Sequence, residues 1–212
     1  MILVGQYDSP YVRRIAISLH LFGMPFDRNT LSAFSDAEAM RRINPLGRIP
    51  SLVLDDGEVL IDSAAIADHL DELVGPARAL LPASGAERRR ALQVTALASG
   101  TLDKAGAIVY ERALRPAEKI HEPWLERLRT QCASGLAALE ATTGAGWYLG
   151  DRVRTPDLMA ACLVWYLTAR VPELLGEGAC PNLRGLSARC GELAAFRATE
   201  PSADELMPGA PI

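Results

Sequence analysis

The chain has 212 residues, 49% of them hydrophobic and 23% charged, which is the composition of an ordinary globular protein with one large or two small domains. Its net charge of -4 provides no basic footprint, so we expect no nucleic-acid partner. The longest apolar run, residues 158–169, is too short to cross a bilayer, and the first residues lack the features of a signal peptide, so we expect no membrane contact.

The first third of the chain alternates between strand and helix patterns. Residues 2–6 form a short apolar run that is typical of a strand. A helix then begins at Ser9-Pro10, a capping residue followed by proline at the first helical position, and ends near Gly23. Residues 25–31 predict a second strand. The sequence SDAE at 35–38 predicts a capping box that opens a short helix.

A β-hairpin and a third helix complete this part of the chain. Residues 51–54 and 58–61 are strand-like and flank an Asp-Gly pair, which is a strong signal for a tight turn. The helix that follows ends near Gly75. The resulting order, β-α-β-α-β-β-α, has two antiparallel strands at its end and indicates a small mixed sheet flanked by helices.

Helical periodicity dominates the rest of the chain. The predicted helices cover residues 86–114, 123–141, 156–170 and 182–193, with a short tail helix near Ala203. We therefore predict an N-terminal α/β domain over residues 1–76, a linker over 77–86 that is rich in Pro, Ala, Ser and Gly, and an all-helical domain over 87–212.

Cysteine and histidine positions give no sign of a disulfide framework or a metal site. The cysteines lie in the second half without a C-x-x-C pair: Cys132, Cys162, Cys180 and Cys190. Free thiols in a reducing cytoplasm are the simplest interpretation. The three histidines are scattered without the spacing of metal ligands, so we predict no metal cofactor.

Four motifs together resemble the cytosolic glutathione S-transferase superfamily. They are YDSPYVRR at residues 7–14, NPLGRIP at 44–50, DSAAI at 62–66, and Gly150-Asp151 with Asp157-Leu158 in the helical part. The resemblance implies a thioredoxin-like domain that binds glutathione, followed by a helical-bundle domain that binds the second substrate. It also implies a cytoplasmic homodimer that uses glutathione as co-substrate on a small electrophile or peroxide.

The first motif places a serine where other members of the family have tyrosine or cysteine, as in some bacterial members. The resemblance implies that Ser9 hydrogen-bonds the glutathione thiol. A free thiol has a pKa of about 8.5, and a donor at the positive end of a helix favours the reactive thiolate. From the residues alone Ser9 is better explained as a helix cap, and it is the resemblance that favours the thiol role; in some relatives a neighbouring group activates the thiol.

The other two N-terminal motifs imply the rest of the glutathione site. Pro50 matches the family's cis-proline, which turns the amide and carbonyl of Ile49 toward the cysteinyl part of glutathione. Asp62 and Ser63 would hold the ammonium and carboxylate of the γ-glutamyl group. Arg48 would face the glycyl carboxylate. The alternatives are an ordinary proline at a strand start, simple helix caps and a surface arginine.

The flanking positions are less specific. We expect Arg13 and Arg14 to be solvated charges, and Asp103 is a candidate to reach the glutathione of a neighbouring subunit across a small-residue helix face that includes Gly106. The helical motif departs from the family pattern, because Arg154 stands where a Ser or Thr is usual; we expect Thr155 to cap the helix instead. Candidate second-substrate contacts, each equally explained as core, are Ser99, Leu102, Tyr110 and Trp165.

Two other functions remain open. The chain could be a non-catalytic glutathione-binding or scaffold protein, although a scaffold has no need to keep the Ser9, Ile49-Pro50 and Asp62-Ser63 set. It could also be a specialised glutathione-dependent isomerase, dehalogenase or peroxidase. The isomerases of the family usually have paired serines in the first motif, which Asp8-Ser9-Pro10 lacks.

Overall fold

The computed structural model describes residues 1–206 of the chain. The strands are β1 (Ile2–Val4), β2 (Asp27–Asn29), β3 (Ser51–Val53) and β4 (Val59–Ile61). The helices are α1 (Pro10–Phe22), α2 (Ala37–Ile43), α3 (Ser63–Val74), α4 (Gly85–Leu114), α5 (Glu122–Thr142), α6 (Thr155–Arg170), α7 (Pro181–Gly191) and α8 (Ala194–Arg197). Single 3-10 turns lie at Ala117–Lys119, Pro172–Leu174 and Ala203–Glu205.

The strands form one mixed sheet in the order β2-β1-β3-β4. β1 runs parallel to β2 and antiparallel to β3, and β4 returns antiparallel to β3. The observed order of strands and helices is the predicted β-α-β-α-β-β-α. The thioredoxin-like N-terminal domain and the helical C-terminal domain that the resemblance implied are therefore confirmed.

Helix α1 begins and ends as its sequence predicts. Ser9 has extended backbone angles and its side chain accepts a hydrogen bond from the amide of Val12, while Pro10 occupies the first helical position. Gly23 ends the helix in the left-handed conformation, at φ 66°. The apolar face of α1 includes the fully buried Ile15 and Leu19, and the helix packs against α3. This packing fixes the N-terminus of α1 at one end of the sheet.

The expectation of solvated arginines on α1 is wrong. Arg13 and Arg14 are only 4% and 6% exposed. The reason is that α8 covers this side of α1, and the Nη2 of Arg13 donates to the carbonyl of Phe196 at 3.3 Å. Sequence periodicity could not reveal a cover that comes from 183 residues further along the chain.

Helix α2 also begins differently from the prediction. The predicted capping box of Ser35 and Glu38 does not form, because the helix starts at Ala37, after Asp36. The Asp36 carboxylate accepts instead from the amide of Ser32 at 2.9 Å, and Glu38 pairs with Arg42 one turn along the helix. The side chain that stabilises the loop before α2 is therefore Asp36, whereas the predicted box relies on Ser35 and Glu38.

By its internal contacts the described chain divides into two units. The first unit comprises residues 1–83 and 191–206, and the second comprises residues 84–190. Residues 191–206, which we expect from the sequence to be part of the helical domain, have their contacts in the first unit, including those of α8 with α1. The predicted helix over 182–193 corresponds to α7, α8 lies beyond its predicted end, and the predicted tail helix is the 3-10 turn Ala203–Glu205.

The second unit is built on α4, which packs against both α5 and α6. The approach of α5 is close at Gly135, where an added Cβ would overlap the side chain of Thr101. The thiol of Cys132 points to the carbonyl of Thr101 at 3.7 Å. Within residues 1–206, none of the helices combines the length and apolar composition needed to cross a membrane.

Helix α6 replaces the expected threonine cap with an aspartate contact. Thr155 is the first helical residue and not the cap, which is Arg154. Asp157 is fully buried, and its carboxylate accepts from the amides of Arg154 at 2.8 Å and Tyr148 at 2.9 Å. Burial raises the pKa of this carboxyl, and the hydrogen bonds from the two amides partly offset the effect. The start of α6 thus keeps its shape without a hydroxyl cap.

Candidate functional site

The strand register brings three of the predicted motifs to one edge of the sheet, the one formed by the end of β1, the start of β3 and the end of β4. Val4, the last residue of β1, is paired with Ser51, the first of β3, and Ser51 is paired with Ile61, the last of β4. The chain therefore continues from this edge into residues 5–9 and 62–63, and it arrives there from residues 49–50. Because neighbouring strands are about 4.8 Å apart, the three segments are spread over about 10 Å, the length of an extended tripeptide.

Gly5 shows how tightly two of these segments meet. Its φ is +130°, and an added Cβ would lie 2.6 Å from Cγ2 of Val12 and 2.9 Å from Cβ of Ile49. Real Cβ atoms do not approach other carbons so closely, so only glycine fits here. The loop that leads to Ser9 is thus pressed between the first turn of α1 and the Ile49-Pro50 segment.

Ser9 lies, half-buried, at the N-terminus of α1. Its Oγ accepts from the amide of Val12 at 3.4 Å, which is a long hydrogen bond, and its own amide donates to the carbonyl of Gln6 at 3.2 Å. The 13 residues of α1 place the positive end of a helix dipole beside this hydroxyl. An anionic sulfur at this point would find a hydroxyl donor and a favourable field together.

The second motif folds into a loop that is held by its own asparagine. Asn44 is 2% exposed; its Nδ2 donates to the carbonyl of Arg48 at 2.8 Å and its Oδ1 accepts from the amide of Leu46 at 3.0 Å. The loop delivers Ile49 and Pro50 to the sheet edge, where the peptide bond between them is cis, as the resemblance implied. Pro50 is buried and Ile49 half-buried, whereas the side chain of Arg48 is exposed.

The third motif forms the start of α3. Asp62 precedes the helix at φ 69°, a value that few residues other than glycine adopt, and its Oδ1 accepts from the amide of Ala64 at 2.8 Å. Ser63, the first helical residue, is 5% exposed. Backbone conformations of this kind are found preferentially at binding sites. The arrangement offers a carboxylate and the first amides of a helix side by side, as a zwitterionic ligand requires.

The structure adds a cluster that sequence reasoning missed. Tyr7, two residues before Ser9, is 3% exposed, and its amide donates to Oε1 of Glu205 at 3.0 Å. The same carboxylate oxygen accepts from Nη2 of Arg28, whose guanidinium carbon lies 3.4 Å from the centroid of the Tyr7 ring. No sequence signal could have found this cluster, because its members come from β2, the loop after β1 and the end of the described chain.

Burial and charge act in opposite directions on the ionisable groups of this cluster. Burial raises the pKa of the Tyr7 hydroxyl, and the Arg28 cation only partly reverses that effect. Burial also acts to raise the pKa of the Glu205 carboxyl, but the hydrogen bonds from the Tyr7 and Ser202 amides and the charge of Arg28 outweigh it. The pKa of Glu205 is therefore lowered, and the carboxylate is charged at neutral pH.

The remaining candidates belong to the second unit. Leu102 is 2% exposed and Gly106 lies against the hydroxyl of Tyr166, so these two positions of the small-residue face pack inside that unit. Asp103 is exposed, and Tyr110 is exposed by 46%. Ser99 donates to the carbonyl of Ala96 in its own helix, and Trp165 of α6 is half-buried. Among residues 1–206, no three His, Cys, Asp or Glu side chains are grouped so that they could hold a metal ion.

The chain is similar to glutathione S-transferases over most of its length. Residues 3–78 match the family model of the glutathione S-transferase N-terminal domain, and residues 122–189 match that of the C-terminal domain. The chain is 34% identical to the uncharacterized GST-like protein YibF of Escherichia coli, over 95% of this chain and 98% of that protein. It is 31% identical to a maleylacetoacetate isomerase of Pseudomonas aeruginosa, over 99% of this chain and all of the isomerase.

A solved structure extends the similarity to three dimensions. A glutathione transferase family member from Pseudomonas fluorescens, crystallised with bound glutathione, has a TM-score of 0.85 to this chain and 35% sequence identity. The similarity covers 95% of this chain and 99% of that protein.

Proposed function

The chain belongs to the glutathione S-transferase superfamily, and we propose that it binds glutathione at the edge of the sheet and activates the thiol for attack on a small electrophilic second substrate. The observation that carries the proposal is the register of Val4, Ser51 and Ile61, which aligns the three motifs over the length of one extended tripeptide. The bound glutathione of the Pseudomonas fluorescens relative supports the same ligand here.

Each end of the tripeptide finds a complementary group along this edge. The Asp62 carboxylate faces the ammonium of the γ-glutamyl group, and the Ser63 hydroxyl and first amides of α3 face its carboxylate. The backbone of Ile49 pairs with the cysteinyl part as an added strand would. Arg48 is the candidate partner of the glycyl carboxylate. These contacts place the thiol over the N-terminus of α1.

The proposed chemistry is nucleophilic attack by a thiolate. The thiol proton leaves to solvent, and the Ser9 hydroxyl and the dipole of α1 stabilise the sulfur anion. The sulfur then forms a bond with the electrophilic carbon, and the bond to the leaving group breaks with its electron pair. Activation by lowering the thiol pKa increases the fraction of reactive thiolate at neutral pH.

A glutathione-dependent isomerase is the second candidate, because the similarity to a maleylacetoacetate isomerase extends over the full length of both chains. The same thiolate would add to the substrate and leave again after bond rotation, with no net conjugation. Asp8-Ser9-Pro10 provides one serine where those isomerases usually have two. A non-catalytic glutathione-binding protein is the third candidate and needs only the binding half of the site.

Retention on immobilised glutathione, followed by a small substrate panel, distinguishes these functions. We expect the purified protein to bind the resin and to elute with free glutathione. Conjugation of an electrophile identifies a transferase, cis–trans conversion of maleylacetoacetate without conjugation identifies an isomerase, and retention without turnover identifies a binding protein. Failure to bind glutathione would contradict all three.

A further inference from the structure

The last part of the described chain forms a clasp on the first unit. This C-terminal clasp comprises residues 199–205, which return to the loop after β1. Thr199 is fully buried and Glu205 is 4% exposed. The amide and the hydroxyl of Ser202 both donate to Oε2 of Glu205, at 3.2 and 3.1 Å. These bonds come from within the clasp and hold the carboxylate in the orientation in which it accepts from Tyr7 and Arg28.

The clasp holds the loop that carries Ser9. In that loop the amide of Gly5 donates to the carbonyl of Asn29 at 2.8 Å, which ties the loop to β2. The amide of Ser9 bonds within the loop, to Gln6. Between them, the amide of Tyr7 donates to Glu205, from 198 residues along the chain. Glu205 is therefore an anchor for the middle of the loop, two residues from Ser9.

The position of Ser9 is sensitive to this anchor for two physical reasons. The hydrogen bond that the hydroxyl accepts from the Val12 amide is long, at 3.4 Å, so this cap contact holds it weakly. A buried amide that lost its acceptor would also carry the cost of an unmade hydrogen bond, and the loop would shift to find a new partner. A carboxylate acceptor makes this bond stronger than a neutral one would.

We infer that Glu205 is a positioning residue for thiol activation: by accepting from the Tyr7 amide while paired with Arg28, it holds the Ser9 loop where the hydroxyl meets the glutathione sulfur. The inference rests on the proposed function, since it gives a remote residue a part in the same site. The groups that face Glu205 are Arg28 of β2, Tyr7 and Ser202, and Asp204 precedes it in the chain.

Two conservative variants separate positioning from charge. Glu205→Gln keeps the length of the side chain and an oxygen for the Tyr7 amide but loses the charge. Glu205→Asp keeps the charge but is one methylene shorter and cannot reach the amide. Positioning predicts that Glu205→Asp raises the pKa of the bound glutathione thiol by about one unit and lowers kcat about tenfold at neutral pH. Glu205→Gln, which keeps an oxygen for the Tyr7 amide but loses one of its two acceptor atoms, should lose less than Glu205→Asp. The control Glu200→Ala, on the exposed part of the same segment, should stay within about twofold of the wild type.

The measurements are ultraviolet titration of the thiolate in the glutathione complex, kcat and KM for a substrate that the wild type converts, and glutathione affinity by calorimetry. Equal thiol pKa and kcat in all variants, with only a lower Tm in Glu205→Asp, would overturn the inference and leave the clasp a structural support. A larger kcat loss in Glu205→Gln than in Glu205→Asp would also overturn it, in favour of charge.

Two further results complete the test. Should a variant fail to fold, hydrogen exchange of the wild type decides: a Tyr7 amide that exchanges as fast as an open loop would show that Glu205 does not hold it. Absence of glutathione binding or of any thiol pKa shift in the wild type would instead refute the proposed function itself. The two failures are thus distinguishable.

Discussion

Ser9 and Asp62 each cap a helix and are each proposed to contact glutathione, and suitable variants can separate these two roles. Both cap a helix through a side-chain oxygen, Ser9 toward Val12 and Asp62 toward Ala64. Both also face the end of the sheet where we propose that glutathione binds. Replacement by alanine would remove cap and ligand contact together. A variant that keeps the cap and changes only the chemistry toward the ligand separates the two roles.

Asp62→Asn is such a variant, because asparagine caps helices as well as aspartate does and tolerates a positive φ. We expect folding stability to stay within about 0.5 kcal/mol of the wild type, the usual range for surface substitutions. Glutathione should bind about 10- to 100-fold more weakly, because a charge-assisted bond of roughly 1.5–3 kcal/mol is lost. Calorimetry measures the affinity and denaturant unfolding measures the stability.

The matched control is Asp56→Asn in the hairpin turn at the opposite end of the sheet, where the carboxylate accepts from the amide of Glu58. This change should leave glutathione affinity unaltered. Unchanged affinity in Asp62→Asn as well would reduce Asp62 to a helix cap and remove the ammonium contact from the proposal.

At the scale of elements, local signals predicted most of what forms. Ser9-Pro10, Gly23 and the Asp-Gly turn each encode a helix start, a helix end or a hairpin within a few residues, and the structure has all three. Where two neighbouring residues could both cap a helix, the prediction was wrong: Asp36, and not Ser35, directly precedes α2. Pairs such as Arg13 with Phe196 were unpredictable, since no periodicity links residues so far apart in sequence.

The candidate site shows the same division. The motifs predicted which segments meet, and the strand register explains why they meet at one edge. The Tyr7–Glu205 contact could not be predicted from the sequence, because a glutamate side chain is usually exposed to solvent. Only the return of residues 191–206 to the first unit makes that glutamate a buried anchor.

The junction of β1, α1 and the approach to β3 gives a prediction at this scale. Gly5→Ala should destabilise the protein by about 1–3 kcal/mol, because the new methyl group would overlap Val12 and Ile49 and the φ of +130° is unfavourable for alanine. The glutathione site should weaken with it, since the Ser9 loop would have to move. Denaturant unfolding measures the stability.

Gly57→Ala is the control for this change. Gly57 also has a positive φ, +90°, but an added Cβ would have open space around it. The control therefore carries the backbone cost alone. An equal loss of stability in both variants would show that close packing at Gly5 adds nothing.

The described chain folds into two units, and the first of them is built from two separate stretches of sequence. The chain leaves the first unit after residue 83, builds the helical unit and then returns, so the first unit is completed only by residues 191–206. The family-model matches, at 3–78 and 122–189, do not include that return. A substitution that destabilises residues 191–206 should therefore also destabilise the thioredoxin-like unit, where the proposed site lies.

We expect the protein to be a homodimer, as the family resemblance implies and as is commonest among soluble oligomers. The first unit exposes several large apolar side chains that a monomer would leave in water: Phe34 by 46%, Leu46 by 68% and Leu73 by 55%. Light scattering across a micromolar concentration series should give twice the chain mass of 22.8 kDa. A constant mass of 22.8 kDa would contradict the dimer.

The pH dependence of turnover in Ser9→Ala tests the central claim most directly, that this hydroxyl activates a glutathione thiol bound at the sheet edge. The hydroxyl bonds better to thiolate than to thiol, so its loss should raise the thiol pKa by about one unit, worth about 1.4 kcal/mol and up to tenfold in thiolate at neutral pH. Glutathione affinity should change little, and Ser9→Thr, which keeps a hydroxyl and a cap, should retain most activity. We predict a turnover deficit that shrinks as pH rises and the thiolate forms unaided. A deficit that is equal at every pH, or no deficit at all, would contradict the account and leave Ser9 a helix cap.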